Sequence, residues 1–140
     1  MAGAGMKDAY VAVMRRYMAA LHAADYPAIV ALFAPGGRVV SPFLGEMEAG
    51  PFFERLGGAS AKNVITPIDI FVSAGDTPRA TAFFRYDWTV TDGTLISFEV
   101  MDLFEFEPGS AQVRRLSLIY DTHPIRATAG NKYELPARRS

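Results

Sequence analysis

Asp102 carries the strongest chemical signal in the chain. It lies in Phe98-Glu99-Val100-Met101-Asp102-Leu103-Phe104-Glu105-Phe106, where strand alternation puts it on the face of Phe98, Val100, Phe104 and Phe106 while Glu99 and Glu105 point the other way. Burying an isolated carboxylate costs several kcal/mol or more, so the group must be paired, kept protonated by a raised pKa, or placed against a cavity. Tyr17 is a second inward polar residue, set in the helical stripe Tyr10, Met14, Tyr17, Met18 and Leu21, with Arg15, Arg16 and His22 off that stripe. Glu46 and Glu48 follow Ser41-Pro42 and read as solvated loop acids that could swing over a pocket mouth. His22 and His123 are the only histidines; they read as a surface helix residue and a strand-end residue, and no cluster has metal-ligand spacing.

The elements that must hold these residues follow from pattern. Asp8 to Ala24 reads as an amphipathic helix. Asp25 can cap a second helix with Pro27 in its first turn and Ile29, Val30, Leu32 and Phe33 on its apolar side, ended by Pro35-Gly36-Gly37. Arg38 to Ser41 is a short strand stopped by Pro42, and Pro51 to Leu56 a short helix closed by Gly57-Gly58. Four longer strands follow: Val64 to Val72 with Pro67 marking an edge or bulge, Ala80 to Thr91, Leu95 to Phe106, and Val113 to Asp121. Phe84, Tyr86, Trp88 and Val90 form the apolar set of one strand, and Ile96, Phe98, Val100 and Asp102 that of the next. Both sets are even-numbered, so Asp92-Gly93 must belong to a three-residue connection or sit beside a bulge if the two sets are to share a face. Arg126 to Ser140 has no sustained period and reads as a surface arm or tail. Helices followed by a run of antiparallel strands imply one α+β domain over residues 1–125, its curved sheet wrapping the helices.

Composition bounds the function classes. The chain has 140 residues, with 14 Lys plus Arg against 15 Asp plus Glu, so there is no strong field to attract nucleic acid or an anionic membrane. The absence of cysteine excludes a disulfide framework, a thiolate nucleophile and Cys-ligated metal, and fits a reducing, cytoplasmic setting. No stretch reaches 18 uncharged apolar residues.

Three segments together resemble the ketosteroid isomerase branch of the nuclear transport factor 2-like, or SnoaL-like, superfamily: Tyr17 to Leu21 running on to Asp25 and Ile29 to Phe33, then Val39-Val40-Ser41-Pro42, then Met101 to Phe106. The likeness spans roughly residues 7 to 125. It implies a cone-shaped domain in which three helices close on a bent, mainly antiparallel sheet around an apolar pocket, and commonly a homodimer; no cofactor or metal is implied. It also implies that Tyr17 and a protonated Asp102 donate hydrogen bonds to one ligand oxygen, a pairing and pKa logic known from the isomerases themselves. Two neutral donors aimed at one acceptor make an oxyanion hole. The alternative is a closed Tyr17-Asp102 pair inside a filled core. Phe33, Phe84, Tyr86, Trp88, Phe98, Val100, Leu118 and Tyr120 would line the pocket.

Those isomerases carry a general-base Asp directly before a Pro, where this chain has Ser41-Pro42. A serine hydroxyl is no base near neutral pH, so isomerisation by that route should be weak or absent. Related epoxide hydrolases use paired Asp residues, but Leu116, Leu118 and Tyr120 define the apolar face of the last strand and leave Asp121 on the other. The expectation is a protein that binds a small apolar carbonyl compound and can stabilise its enolate, with a non-catalytic binding module or a protein-interaction domain using the outer sheet face as the alternatives.

Overall fold

The computed structural model describes residues 2–128. The order is α1 (Ala2–His22), α2 (Tyr26–Val30), β1 (Phe33–Ser41), β2 (Gly45–Glu48), α3 (Ala49–Ala59), β3 (Ser60–Val72), β4 (Arg79–Val90), β5 (Leu95–Phe106), β6 (Val113–Tyr120) and α4 (His123–Thr128). The strands form one curved six-stranded sheet in the order β2-β1-β6-β5-β4-β3, antiparallel throughout except for the parallel β1–β6 pair. No helix among the described residues is long and apolar enough to cross a membrane.

Helix α1 buries Tyr10, Val13, Met14, Tyr17, Met18 and Leu21, positions that recur every three or four residues and so form one seam. It lies against β3 and β4. The helix ends in a left-handed residue, Ala24 at φ 56°, with the Asp25 N–H donating to the Ala20 carbonyl at 2.8 Å. Asp25 then caps α2 by accepting from the Ala28 N–H at 3.2 Å, as the Asp-Tyr-Pro run leads one to expect.

The connection from β4 to β5 is the three-residue one. Trp88 pairs with Ile96 and Thr89 with Leu95, the Val90 N–H reaches the Thr94 carbonyl at 2.9 Å, and Gly93 takes φ 92°, a conformation open to glycine at little cost. The register puts Asp102 beside Ala82 on one side and Leu118 on the other. Strand β3 is an edge strand with a register shift between Pro67 and Asp69, which is where a residue without an N–H is tolerated.

Four expectations need correction. Phe33 does not end α2; it opens β1, where it pairs with Val113, and Pro35-Gly36-Gly37 is absorbed as an irregularity between the Phe33 and Arg38 pairings. Parallel pairing with β6 outcompetes helix termination there, and Gly36 supplies the positive φ of 78°. Helix α3 runs through Gly57-Gly58 to Ala59, because Gly57 lets the α3 backbone approach the Tyr26 ring, where an added Cβ would lie 3.1 Å from Cδ2. Glu46 and Glu48 lie on β2, paired with β1, and not in a loop. The chain also forms α4 before the expected tail: the Asp121 carboxylate accepts from the His123 N–H at 2.9 Å and Thr122 accepts from the Ile125 and Arg126 N–H groups. The rest of that tail, after Thr128, lies outside the described residues.

Candidate functional site

The inner face of β5 carries Asp102 towards α1, whose buried seam presents Tyr17. The Tyr17 hydroxyl donates to Asp102 Oδ2 at 2.7 Å. The Tyr17 ring is fixed by Phe104, edge-on at 5.0 Å between centroids, and by Phe53 and Phe84 at 6.4 Å each. Asp102 is 1% exposed, and its Oδ1 is buried with no hydrogen-bond partner. Burial pushes its carboxyl up to about 7, against the opposing effect of the Tyr17 hydrogen bond. Burial first, and then the neighbouring Asp102, raise the Tyr17 hydroxyl well above its ordinary range, so it stays a donor.

These groups stand in the wall of a cavity of about 360 Å³, within the range of small-molecule sites. Tyr17, Ser41 and Asp102 line it together. Phe84, Tyr86 and Trp88 from β4, Phe98 and Val100 from β5, and Leu118 and Tyr120 from β6 also line it. Phe33 is not part of it. It opens β1 with its ring 6.0 Å from Phe53, one layer behind the lining. Sequence pattern missed the opposite wall, where α3 presents Phe52, Arg55, Leu56 and Ala59, and the contributions of Phe43, Leu44 and Ile125. A helix over Ala49–Ala59 was legible only in part because its glycines read as a stop. The Asp121-Thr122-His123-Pro124 run is a helix-start signal that points to Ile125.

The polar ends of the aromatic wall are engaged behind it. The Tyr86 hydroxyl donates to Asn63 Oδ1 at 2.9 Å, and Asn63 Nδ2 donates to the Leu21 carbonyl and to the Tyr26 hydroxyl. Trp88 Nε1 donates to Ser60 Oγ at 2.8 Å, and Ser60 in turn to the Leu56 carbonyl. Tyr86 and Trp88 therefore offer the cavity ring surface and no spare donor. Burial, followed by Tyr26 and Asp102, raises the Tyr86 hydroxyl. Burial and the proximity of Asp102 push Tyr120 up to about 12. Asn63, 3% exposed, escaped the sequence reading because β3 starts at Ser60 and not at Val64; carried back two residues from the inward Ile65, alternation exposes it as a buried polar residue.

Among the described residues Asp102 is the only carboxylate lining the cavity. Glu46 is drawn outward by Arg38 at 3.1 Å and Arg115 at 3.6 Å, and Glu48 is exposed just before α3. Ser41 Oγ accepts from the Leu44 N–H at 3.0 Å, which leaves its own hydrogen to donate. His22 Nδ1 accepts from the Ile65 N–H at 3.1 Å, His123 starts α4, and Asp121 caps that helix, so none of the three joins the cavity. Among the described residues no three His, Asp or Glu side chains are grouped to hold a metal ion. The arrangement provides a largely apolar slot with a carboxyl donor, anchored by the Tyr17 hydroxyl, at its closed end, and among the described residues no second carboxylate or imidazole lines it to take a proton.

Residues 14–113 match the SnoaL-like domain. No curated protein matches the chain. Solved structures share the fold: an NTF2-like protein of Burkholderia pseudomallei K96243, 19% identical over 85% of this chain and 95% of its own with a TM-score of 0.70, and a protein of Catenulispora acidiphila DSM 44928 with a ketosteroid isomerase-like fold, 17% identical over 90% and 95% with a TM-score of 0.71. PrhC from Penicillium brasilianum NBRC 6234 is similar at 12% identity over 91% and 94%, with a TM-score of 0.69. Since the domain match covers well over half of the chain, the chain belongs to the SnoaL-like domain family, and the solved structures, aligned along nearly their whole length, share its fold.

Proposed function

We propose that the protein binds a small, flat, largely apolar carbonyl compound and polarises its oxygen by donation from Asp102, whose carboxyl is anchored by Tyr17. One observation carries this reading: Asp102 Oδ1 is buried and without a partner in the wall of an otherwise apolar cavity, while Oδ2 is tied to Tyr17. With Oδ2 already accepting, the proton of the neutral carboxyl sits on Oδ1, where it can be donated to a ligand. A buried polar atom without a partner costs about 1–3 kcal/mol, a cost that a ligand oxygen removes. The alternative, a closed pair inside a filled core, is less favoured because both residues line a cavity.

Enolate-forming chemistry also needs a proton acceptor, and among the described residues the cavity wall supplies no carboxylate or imidazole besides Asp102 itself. A positioned base contributes about 10² to 10⁴ in rate, so the reading is binding and polarisation first, with slow turnover of a ligand whose acidic carbon is served by water. Isomerase-, cyclase- or dehydratase-type conversions share this requirement.

Ultraviolet titration with a phenolic steroid tests the reading. The expected result is saturable binding that weakens at least about tenfold, the worth of one charge-assisted or buried hydrogen bond, in both Tyr17→Phe and Asp102→Ala. Equal affinity in all three proteins contradicts it.

A further inference from the structure

Exposure along the cavity is graded, from a buried polar pair to an open end that carries a charged residue. Tyr17 and Asp102 are 2% and 1% exposed and form the closed end. Leu44, at 39% exposed, stands at the open end with Arg55, which is also exposed. On α3, Phe52, Arg55, Leu56 and Ala59 follow the spacing of one helix face and line the same wall, and a long side chain there can lay its stem along apolar neighbours and keep its charged head in water.

No carboxylate neutralises it there. Arg55 has no ion pair among the described residues, and among them the only acid lining the cavity is the buried Asp102. We propose that Arg55 is a specificity residue that selects ligands carrying a carboxylate at the end remote from the oxygen bound at Asp102, so that the ligand class is an elongated aromatic or alicyclic oxo or hydroxy acid. This rests on the binding reading above and deepens it. A planar guanidinium matches a carboxylate with two parallel hydrogen bonds, and partial exposure keeps the gain modest and salt-dependent.

Two pairs of probes of different length test it by fluorescence or ultraviolet titration: 2-naphthol against 6-hydroxy-2-naphthoate, and 4-phenylphenol against 4'-hydroxybiphenyl-4-carboxylate. In each pair the phenolic oxygen suits Asp102 and only the second compound offers an opposite carboxylate. The expected result is a preference of roughly fivefold for the acid in at least one pair at low ionic strength, lost in 0.5 M salt and in Arg55→Gln and partly kept in Arg55→Lys. The far-ultraviolet circular dichroism and denaturation midpoint of Arg55→Gln should match those of the unaltered protein, which shows that the variant is folded, and each acid should bind it no better than the matching phenol. Equal affinities within both pairs, or an acid preference that survives Arg55→Gln, overturn this inference alone. Failure of all four compounds to bind overturns it together with the reading beneath it.

Discussion

The Tyr17 hydroxyl spans 2.7 Å to Oδ2 of Asp102, a residue 85 positions later, and the bond divides the carboxyl into two unequal oxygens. One is anchored to the first helix. The other is buried and unpartnered. A carboxyl held in this way cannot rotate to satisfy both oxygens from the protein, so its second oxygen is left for whatever enters the cavity.

Stability should respond to pH through Asp102. Its folded pKa, near 7, stands above the ordinary value of about 4. The folded state therefore binds the proton more tightly, and the associated stability is complete below about pH 4, declines as pH rises, and is gone above about 7. The Asp102→Asn variant does not titrate there. Chemical denaturation at pH 4, 5.5, 7 and 8.5 should show the variant gaining on the unaltered protein up to about pH 7 by a few kcal/mol, with roughly 4 kcal/mol as the ceiling, and no further gain at 8.5. A constant difference across the series would contradict a raised pKa.

Ser41 lines the cavity without offering a base. A carboxylate in its place can still accept from the Leu44 N–H and can abstract a proton from a ligand whose oxygen is polarised by Asp102. Ser41→Asp should raise the rate of isomerisation of a β,γ-unsaturated ketosteroid by about 10² or more, followed by the absorbance of the conjugated product. No gain would count against the proposed placement of the ligand oxygen at Asp102.

Outside the cavity, Ala24 holds φ 56° at the end of α1, a conformation that costs an alanine roughly 1 kcal/mol. It is exposed, so nothing is lost with its methyl group. Ala24→Gly should stabilise the protein by about 0.5–1 kcal/mol, measured as a higher denaturation midpoint with an unchanged slope. A loss of stability would show that unfolded-state entropy outweighs the local strain.

The features legible in the sequence were those governed by short periods. The seam of α1, the even-with-even register of β4 and β5, and the inward side of Asp102 follow from spacing alone, because a helix stripe and a strand face are local properties of the chain. Tertiary pairing hid the rest. Phe33 reads as helical until Val113 provides a parallel partner, and Gly57 reads as a helix stop until the Tyr26 ring is seen against it. Asn63 and Arg55 illustrate two further limits. Asn63 was lost to a strand boundary set four residues late, whereas Arg55 looks like any solvated helix arginine until α3 is packed across the cavity.

The most direct test is carbon-13 NMR of the Asp102 side-chain carboxyl, identified by its absence in Asp102→Asn, titrated from pH 3 to 10 with and without a saturating neutral aromatic ketone. The expected result is a midpoint near 7 in the free protein that moves up by at least about one unit in the complex, because only the protonated Oδ1 can donate to the ketone oxygen. A midpoint near 4 that ignores the ketone would contradict the account.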